Sequence, residues 1–298
     1  MTEVAFLGTG VMGLPMAAHL GDAGFSVHAW NRTPEKARPL QRDGIAVFED
    51  PAEATAGCSL VVTMLADADA VLDVAGRALG PGEDDGAPDE GERVWIQMST
   101  IGSPGTARCQ ALADERGVAF VDAPVLGTRA PAEQGELVIL ASGAESTRPA
   151  ADPVFDAVGS RTIWLGEAGA ASAAKVMLNS WVLGVVGALS DTIALARASA
   201  VDPQVFFDAI DGGALDLPYA RIKGGAMARE SFDDVSFTLS LARKDADLVL
   251  SAAREAGIRL PAMEGTHERL ERAETAGHGA ADMAAMFLAT PEHQGDGR

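Results

Sequence analysis

The run Gly8-Thr9-Gly10-Val11-Met12-Gly13 sits between a short β-rich stretch, Val4-Ala5-Phe6-Leu7, and a helical pattern extending from about Gly13 to Ala23. A GxGxxG alone is a weak signal. Where a first strand gives way to a helix, it is the fingerprint of a dinucleotide-binding fold. Gly8 permits the tight turn, Gly10 lets the backbone approach a pyrophosphate, and Gly13 lets the helix pack close to the strand. Uncapped N–H groups at the helix start then face the phosphate anion. Val11 and Met12 lie in the same loop and count among its candidate cofactor contacts. A glycine-rich turn without a ligand is the alternative, disfavoured by the position of the motif and by the strand that follows.

Beyond that motif, β-rich runs alternate with helical patterns. Strands are expected at Ser26–Trp30, Ser59–Leu65, Arg93–Met98, Val118–Val121, Leu137–Ala141 and Ile163–Leu165, with a helical stretch at Pro34–Asp43. Alternation of this kind predicts an α/β fold, a Rossmann-type doubly wound parallel sheet. After about Gly166 strand runs stop, and Ala168–Ala198 reads as one helix on the order of 45 Å long. Gly184 and Gly187 within it suggest close approach of another helix. The stretch 212–225, containing Asp216, Leu217, Pro218 and Tyr219, reads as a loop. The expected organisation is a dinucleotide-binding domain over 1–166, an all-helical C-terminal domain over 167–290 and a frayed tail over 291–298. The acidic Gly/Pro-rich stretch 80–92 reads as a solvated surface loop.

Composition narrows the partners. Of 298 residues, 43 are acidic and 23 basic, a formal charge of -20, and such a field repels nucleic acid. Lys175, Asn179, Asp191 and Arg197 interrupt the longest apolar stretch, which argues for a buried helix and against a membrane span. Glu3 stands where a signal peptide would be basic. Cys58 and Cys109 form no CxxC, in keeping with buried thiols in a reducing cytoplasm. His19, His28, His267, His278 and His293 show no metal-ligand spacing, so no metal is expected.

The end of the second strand bears on cofactor choice. A site for NAD usually carries Asp or Glu there, bonded to the ribose hydroxyls. This chain has Asn31-Arg32-Thr33. No carboxylate repels a 2′-phosphate, Arg32 can pair with one, and Asn31 and Thr33 can add hydrogen bonds. NADPH is therefore expected over NADH, the alternative being that Arg32 is simply an exposed residue at a helix start. Ligands in open α/β sheets sit beyond the carboxyl ends of the strands, which adds Met64, Leu65 and Thr100 to the cofactor contacts.

Four motifs, in order, resemble the β-hydroxyacid dehydrogenases, a family that includes 3-hydroxyisobutyrate dehydrogenase, tartronate semialdehyde reductase and glyoxylate/succinic semialdehyde reductases. Phe6 through Ala17 is similar to the family's cofactor loop. Asp122-Ala123-Pro124-Val125-Leu126-Gly127-Thr128, followed by Gly135, is similar to its substrate loop. Gly166 through Lys175 and Asn179 is similar to its catalytic helix, and Lys244-Asp245 to its late cofactor-contacting pair. The resemblance covers the chain to about residue 290. It implies that Lys175 is the catalytic acid/base, that Asn179 orients lysine and substrate, and that Val125, Leu126, Gly127 and Thr128 bind substrate. It places Lys244 near the nicotinamide or the substrate entry; Asp245 beside it is read as structural. It also implies association through the helical half, as a homodimer or higher homo-oligomer.

The residues support part of this directly. Carbonyl reduction needs hydride at carbon and a proton at oxygen, from a donor within hydrogen-bond reach. Lys175 lies among Ala173, Ala174, Val176 and Met177. An amine withdrawn from water there loses part of its preference for the charged form, as an acid/base requires. A lysine snorkelling to the surface is the plain alternative. Asn179, at i+4, shares its helix face, and could equally be a buried amide bonded to backbone. Phe237, seven residues before Lys244, is expected on the lysine's helix face as a substrate contact, with core packing favoured over that role. The loop departs from the family's Ser-Gly-Gly: Leu126 lacks a hydroxyl and Thr128 replaces a glycine.

The reading is thus an NAD(P)-dependent oxidoreductase reducing a small aldehyde or keto acid, reversibly oxidising a 3-hydroxyacid. A reductase of imines and a non-catalytic cofactor-binding or interaction module are the alternatives. Imine reductases usually replace the lysine, which this chain keeps.

Overall fold

Val4, Ala5, Phe6 and Leu7 are wholly buried. A strand buried on both faces belongs in the middle of a parallel sheet covered by helices, and β1 (Glu3–Leu7) takes that place in the computed structural model, which describes residues 1–80 and 93–290. All of the acidic insert but Gly80, and the whole C-terminal tail, fall outside these residues, so the expectations made for them do too. The chain divides into two compact units, Met1–Lys175 and Val176–Arg298.

In the first unit, β1 is followed by α1 (Gly13–Asp22), β2 (Ser26–Trp30), β3 (Ala46–Phe48), α2 (Pro51–Thr55), β4 (Leu60–Thr63), α3 (Ala68–Ala78) and β5 (Val94–Gln97). Then come α4 (Gly102–Glu115), β6 (Ala119–Asp122), β7 (Val125–Leu126), α5 (Arg129–Glu133), β8 (Leu137–Gly143), α6 (Arg148–Val158) and β9 (Gly159–Trp164). The sheet order is β3-β2-β1-β4-β5-β6-β8-β7, with β9 also paired to β8. From β3 to β6 every pairing is parallel. β8 runs antiparallel to β6 and β7 and parallel to β9.

Strand alternation sends side chains to two separate cores. Val4, Phe6, Val62 and Ile96 pack with Met16 and Leu20 of α1 and Val154 and Phe155 of α6. Ala5, Leu7, Val61 and Trp95 pack on the other face with Val71 and Ala75 of α3 and Cys109 and Ala113 of α4. This is the doubly wound arrangement expected. Sequence reading missed β3 and β7, each three residues or fewer, too short for alternation to register. It began β9 at Ile163, because Ser160 and Arg161 are polar and exposed. Pro34–Asp43 is helical, as two 3-10 segments.

In the second unit lie most of α7 (Ala170–Ala198), then α8 (Gln204–Ile210), α9 (Pro218–Arg229), α10 (Leu239–Glu255) and α11 (Pro261–Ala273), with a 3-10 turn at Met283–Ala289. By length and composition α7 could cross a membrane. Its Leu183, Val186, Leu189 and Ile193 instead pack with Met227, Leu239, Val249, Leu270 and Met286. A Cβ on Gly187 would lie 2.4 Å from the Thr266 hydroxyl, so α11 packs closely there, whereas Gly184 meets nothing. The stretch 212–225 is only half loop. Pro218 stands at the first turn of α9, where its fixed φ favours a helix start. Lys223, wholly buried, donates to both oxygens of Asp282 at 2.7 and 2.8 Å and to Ser236 Oγ at 2.8 Å.

The division after Lys175 falls beyond the change of character after Gly166. The first turn of α7 belongs with the sheet because Ala171 N–H donates to Ser142 Oγ (3.0 Å) and Ser172 N–H to Asp122 Oδ2 (2.8 Å).

Candidate active site

The strand order reverses between β1 and β4: from β1 the chain steps outward to β2 and β3, then returns to β4 and proceeds the other way. Ligands of open α/β sheets lie beyond the strand ends at such a switch point, and here those ends are Gly8 and Met64. Gly8 has φ +112°, and a Cβ there would lie 2.2 Å from the Met64 carbonyl oxygen. A Cβ on Gly13 would lie 1.9 Å from the Gly8 carbonyl oxygen. Neither position admits a larger residue without moving backbone. Gly10 is the opposite case: it is exposed, and a Cβ there meets nothing within 4 Å.

No side chain caps α1, and its first turn carries no acidic residue, so its opening N–H groups suit an anion. Val11 is 52% exposed beside it, while Met12 packs against the sheet core. Thr9 is buried, and its hydroxyl has no hydrogen-bond partner among the described residues. An open cradle, an uncapped helix start and an orphaned hydroxyl fit a dinucleotide phosphate.

Asn31 has a job the sequence did not reveal. Its Oδ1 accepts from Thr9 N–H at 3.0 Å, and its Nδ2 donates to the Thr33 carbonyl at 2.9 Å. The amide thereby ties the glycine loop to the turn after β2. Arg32 and Thr33 are exposed, and Arg32 makes no ion pair with the described residues. Met64 and Leu65 are half-buried, with Leu65 N–H donating to Ser99 Oγ at 2.8 Å. Thr100, half-buried, follows β5.

The candidate substrate stretch begins in β7, where Val125 pairs with Ile139 and Leu126 with Val138. Val125 is buried; Leu126, Gly127 and Thr128 are half-buried. Gly127 has φ +139°, and a Cβ there would lie 2.7 Å from Leu137 Cδ2. Thr128 precedes α5 without a side-chain cap bond. Lys175, near the start of α7, is only 8% exposed.

In the second unit Asn179 is buried, and its Nδ2 donates to Asp245 Oδ2 at 2.7 Å. Lys244 Nζ lies 2.9 Å from Asp245 Oδ1. One buried carboxylate therefore joins two residues that sequence reading had singled out, though it had set Asp245 itself aside as structural. The helix face that Phe237 is expected to share with Lys244 does not form, whereas the core packing favoured for it does. α10 starts at Leu239 because Thr238 caps it, accepting from Leu241 N–H. Phe237 thus precedes the helix and shares no helical face with Lys244; it packs against the core of its unit.

Both cysteines are buried and free. Burial pushes each thiol up to about 12, so neither supplies a thiolate nucleophile near neutral pH. Among the described residues no group of three or more His, Cys, Asp or Glu could hold a metal ion.

Residues 3–166 match the NAD binding domain of 6-phosphogluconate dehydrogenase. Residues 169–289 match the NAD-binding domain of NADP-dependent 3-hydroxyisobutyrate dehydrogenase. The chain is 33% identical over 287 residues to glyoxylate/succinic semialdehyde reductase 1 of Arabidopsis thaliana, covering 96% of this chain and 98% of that protein. The chain belongs to the β-hydroxyacid dehydrogenase family. It is a member of a family of NAD(P)-dependent oxidoreductases of hydroxyacids, as its motifs implied. Among solved structures, 3-hydroxyisobutyrate dehydrogenase of Mycobacterium tuberculosis with L-serine superposes with a TM-score of 0.83 at 29% identity, covering 97% and 98% of the two chains. A reductive aminase of Aspergillus terreus with NADPH and ethyl levulinate shares the fold (TM-score 0.61, 23% identity, coverage 97% and 99%).

Proposed function

We propose that this β-hydroxyacid dehydrogenase homologue reduces a small aldehyde or keto acid with NADPH, reversibly oxidising the 3-hydroxyacid, with Lys175 as general acid/base. The observation that carries the reading is the near-complete burial of Lys175 and Asn179, one helical turn apart on α7, with the Asn179 amide held by Asp245. The 33% sequence identity with a glyoxylate/succinic semialdehyde reductase supports a short carbonyl acid as substrate.

The cofactor's diphosphate is assigned to the amides around Gly10, Val11 and Met12, and the nicotinamide half to Met64, Leu65, Thr100 and Lys244. Arg32, exposed and without a carboxylate neighbour at 31–33, supports preference for the 2′-phosphate. When bound, the reduced nicotinamide supplies hydride. Lys175 delivers the proton to the carbonyl oxygen and takes it back in the reverse direction. Asn179, with one amide hydrogen committed to Asp245, turns its Oδ1 away from that carboxylate as an acceptor. The backbone of Gly127 and its neighbours holds the acid group, with Val125 and Leu126 lining the approach. Phe237 is dropped from this set.

The test is a panel of aldehyde acids, 3-hydroxyacids and cyclic imines, scored by NADPH consumption or formation. Turnover of semialdehydes or glyoxylate supports the reading; turnover of imines alone overturns it. Imine reduction is the second reading, favoured by one observation: half-buried Leu126 presents an apolar side chain where the family carries a serine hydroxyl. Cytoplasmic location and association of copies belong to the same proposal. Met177, Trp181 and Leu195, exposed on α7, support the latter, and sedimentation velocity checks it.

A further inference from the structure

Asp122 ends β6, three residues before the substrate-binding stretch, and is wholly buried. Its Oδ2 accepts from Ser172 N–H at 2.8 Å and from Ser142 Oγ at 3.3 Å, and its Oδ1 lies 2.7 Å from Ser172 Oγ. Ser142 Oγ in turn accepts from Ala171 N–H at 3.0 Å. Ser172 Oγ lies 2.7 Å from Thr106 Oγ1, which lies 3.0 Å from the Gly102 carbonyl. The opening turn of α7, which leads directly to Lys175, is therefore held by side chains from β6, β8 and α4.

A carboxyl group at a helix start is common, but the proton count here is specific. The three contacts from Asp122 through Ser172 and Thr106 to Gly102 need three protons. The two hydroxyls supply two. With the carboxylate ionised, Ser172 donates to Asp122, and Thr106 must choose between Ser172 Oγ and the Gly102 carbonyl. With the carboxyl protonated, all three bonds form in one direction, ending on that carbonyl. Burial pushes the Asp122 carboxyl above its usual range, against the hydrogen bonds from Ser172, Ser142 and the Gly169 amide that pull it down. An asparagine amide would reproduce the protonated arrangement: its oxygen accepts Ser172 N–H and its NH2 donates to Ser172 Oγ.

We propose that Asp122 is the positioning residue of Lys175, its buried carboxyl fixing the first turn of α7 against the root of the substrate-binding stretch. The inference rests on the assignment of Lys175 as proton donor. Ser172 precedes the lysine by three residues, close to one helical turn, so a shift of that turn moves the amine. Misplacement of a reacting group by about 1 Å costs on the order of a hundredfold in rate.

The test compares Asp122→Ala with Asp122→Asn, using succinic semialdehyde and NADPH, with NADPH affinity measured separately by fluorescence titration. Asp122→Ala is expected to lower kcat about tenfold or more, with the NADPH Kd moved by no more than about twofold. Asp122→Asn is expected to recover most of the parental kcat. Hydrogen exchange over 170–176, readable without any substrate, should accelerate in Asp122→Ala and stay slow in Asp122→Asn. If Asp122→Ala does not fold, Ser172→Ala, which keeps the main-chain bond, should show the same kcat loss in milder form. A folded Asp122→Ala with parental kcat and slow exchange overturns the inference, as does an Asp122→Asn as impaired as the alanine variant. Lys175→Ala separates the two claims. Parental turnover by Lys175→Ala removes the donor and the inference with it, whereas its loss beside an unimpaired Asp122→Ala removes the inference alone.

Discussion

Asn179 Nδ2 and Asp245 Oδ2, from residues 66 apart in the chain, meet at 2.7 Å in the interior of the helical unit. The same carboxylate faces Lys244 Nζ with its other oxygen, at 2.9 Å. A carboxylate accepts only, so the amide must present its NH2 to Asp245 and its oxygen elsewhere. The orientation of a candidate substrate-binding amide is thus decided by a residue one position along from a candidate cofactor contact.

Removing that acceptor should therefore be costly. Hydrogen bonds to charged groups contribute about 1.5–3 kcal/mol, so Asp245→Ala is expected to lower kcat/KM by roughly ten- to a hundredfold. Steady-state kinetics on the folded variant checks this. An unchanged kcat/KM would mean that the Asn179 orientation has no part in the reaction.

Lys175→Ala should retain NADPH binding and lose about 10²–10⁴ in kcat, the range of a general acid/base. Fluorescence titration of cofactor beside turnover on the same preparation gives the comparison. Loss of both together would make the residue structural.

Arg32→Asp should reverse the cofactor choice. It removes a cation from the 2′-phosphate position and supplies a carboxylate for the ribose hydroxyls, so the NADPH/NADH ratio of kcat/KM should fall by about tenfold or more. A ratio unmoved by the substitution would leave Arg32 as an ordinary exposed residue.

The Lys223–Asp282 pair predicts a stability change with a definite pH dependence. Breaking a buried pair leaves an uncompensated charge, at a cost of about 3–5 kcal/mol, so Lys223→Ala should lower Tm by roughly 10 °C. Burial pushes the Asp282 carboxyl up, but attraction and hydrogen bonds from Lys223 and the amides of Ala284 and Ser236 outweigh it and hold the group below its usual 3.8. The stability this adds is present above that value and lost as pH falls through the lower, folded-state value. The Tm gap between parent and variant should therefore be full near neutrality and narrow under acid conditions below 3.8. A constant gap would assign the loss to packing alone.

Phe237 shows how far periodicity carries. Seven residues separate it from Lys244, and on one helix that spacing would place both on a single face. Thr238 accepts the Leu241 N–H and starts the helix after Phe237, so the spacing has no geometric meaning. β7 was invisible for another reason: two residues cannot show alternation, and Val125 and Leu126 become a strand only because β8 lies alongside.

What the sequence determined by itself is what short-range sterics enforce: Gly8 and Gly13 at a strand-to-helix turn, alternating elements before Gly166, and Lys175 with Asn179 one turn apart. Each follows from backbone geometry within a few residues. Tertiary structure alone decided that Asp122 meets Ser172, that Asp245 holds Asn179, and that Lys223 is neutralised by Asp282. Those pairings join residues 50, 66 and 59 positions apart. Side-chain carboxylates carry no directional information until packed elements bring a donor within 3 Å and exclude the water that would otherwise satisfy them.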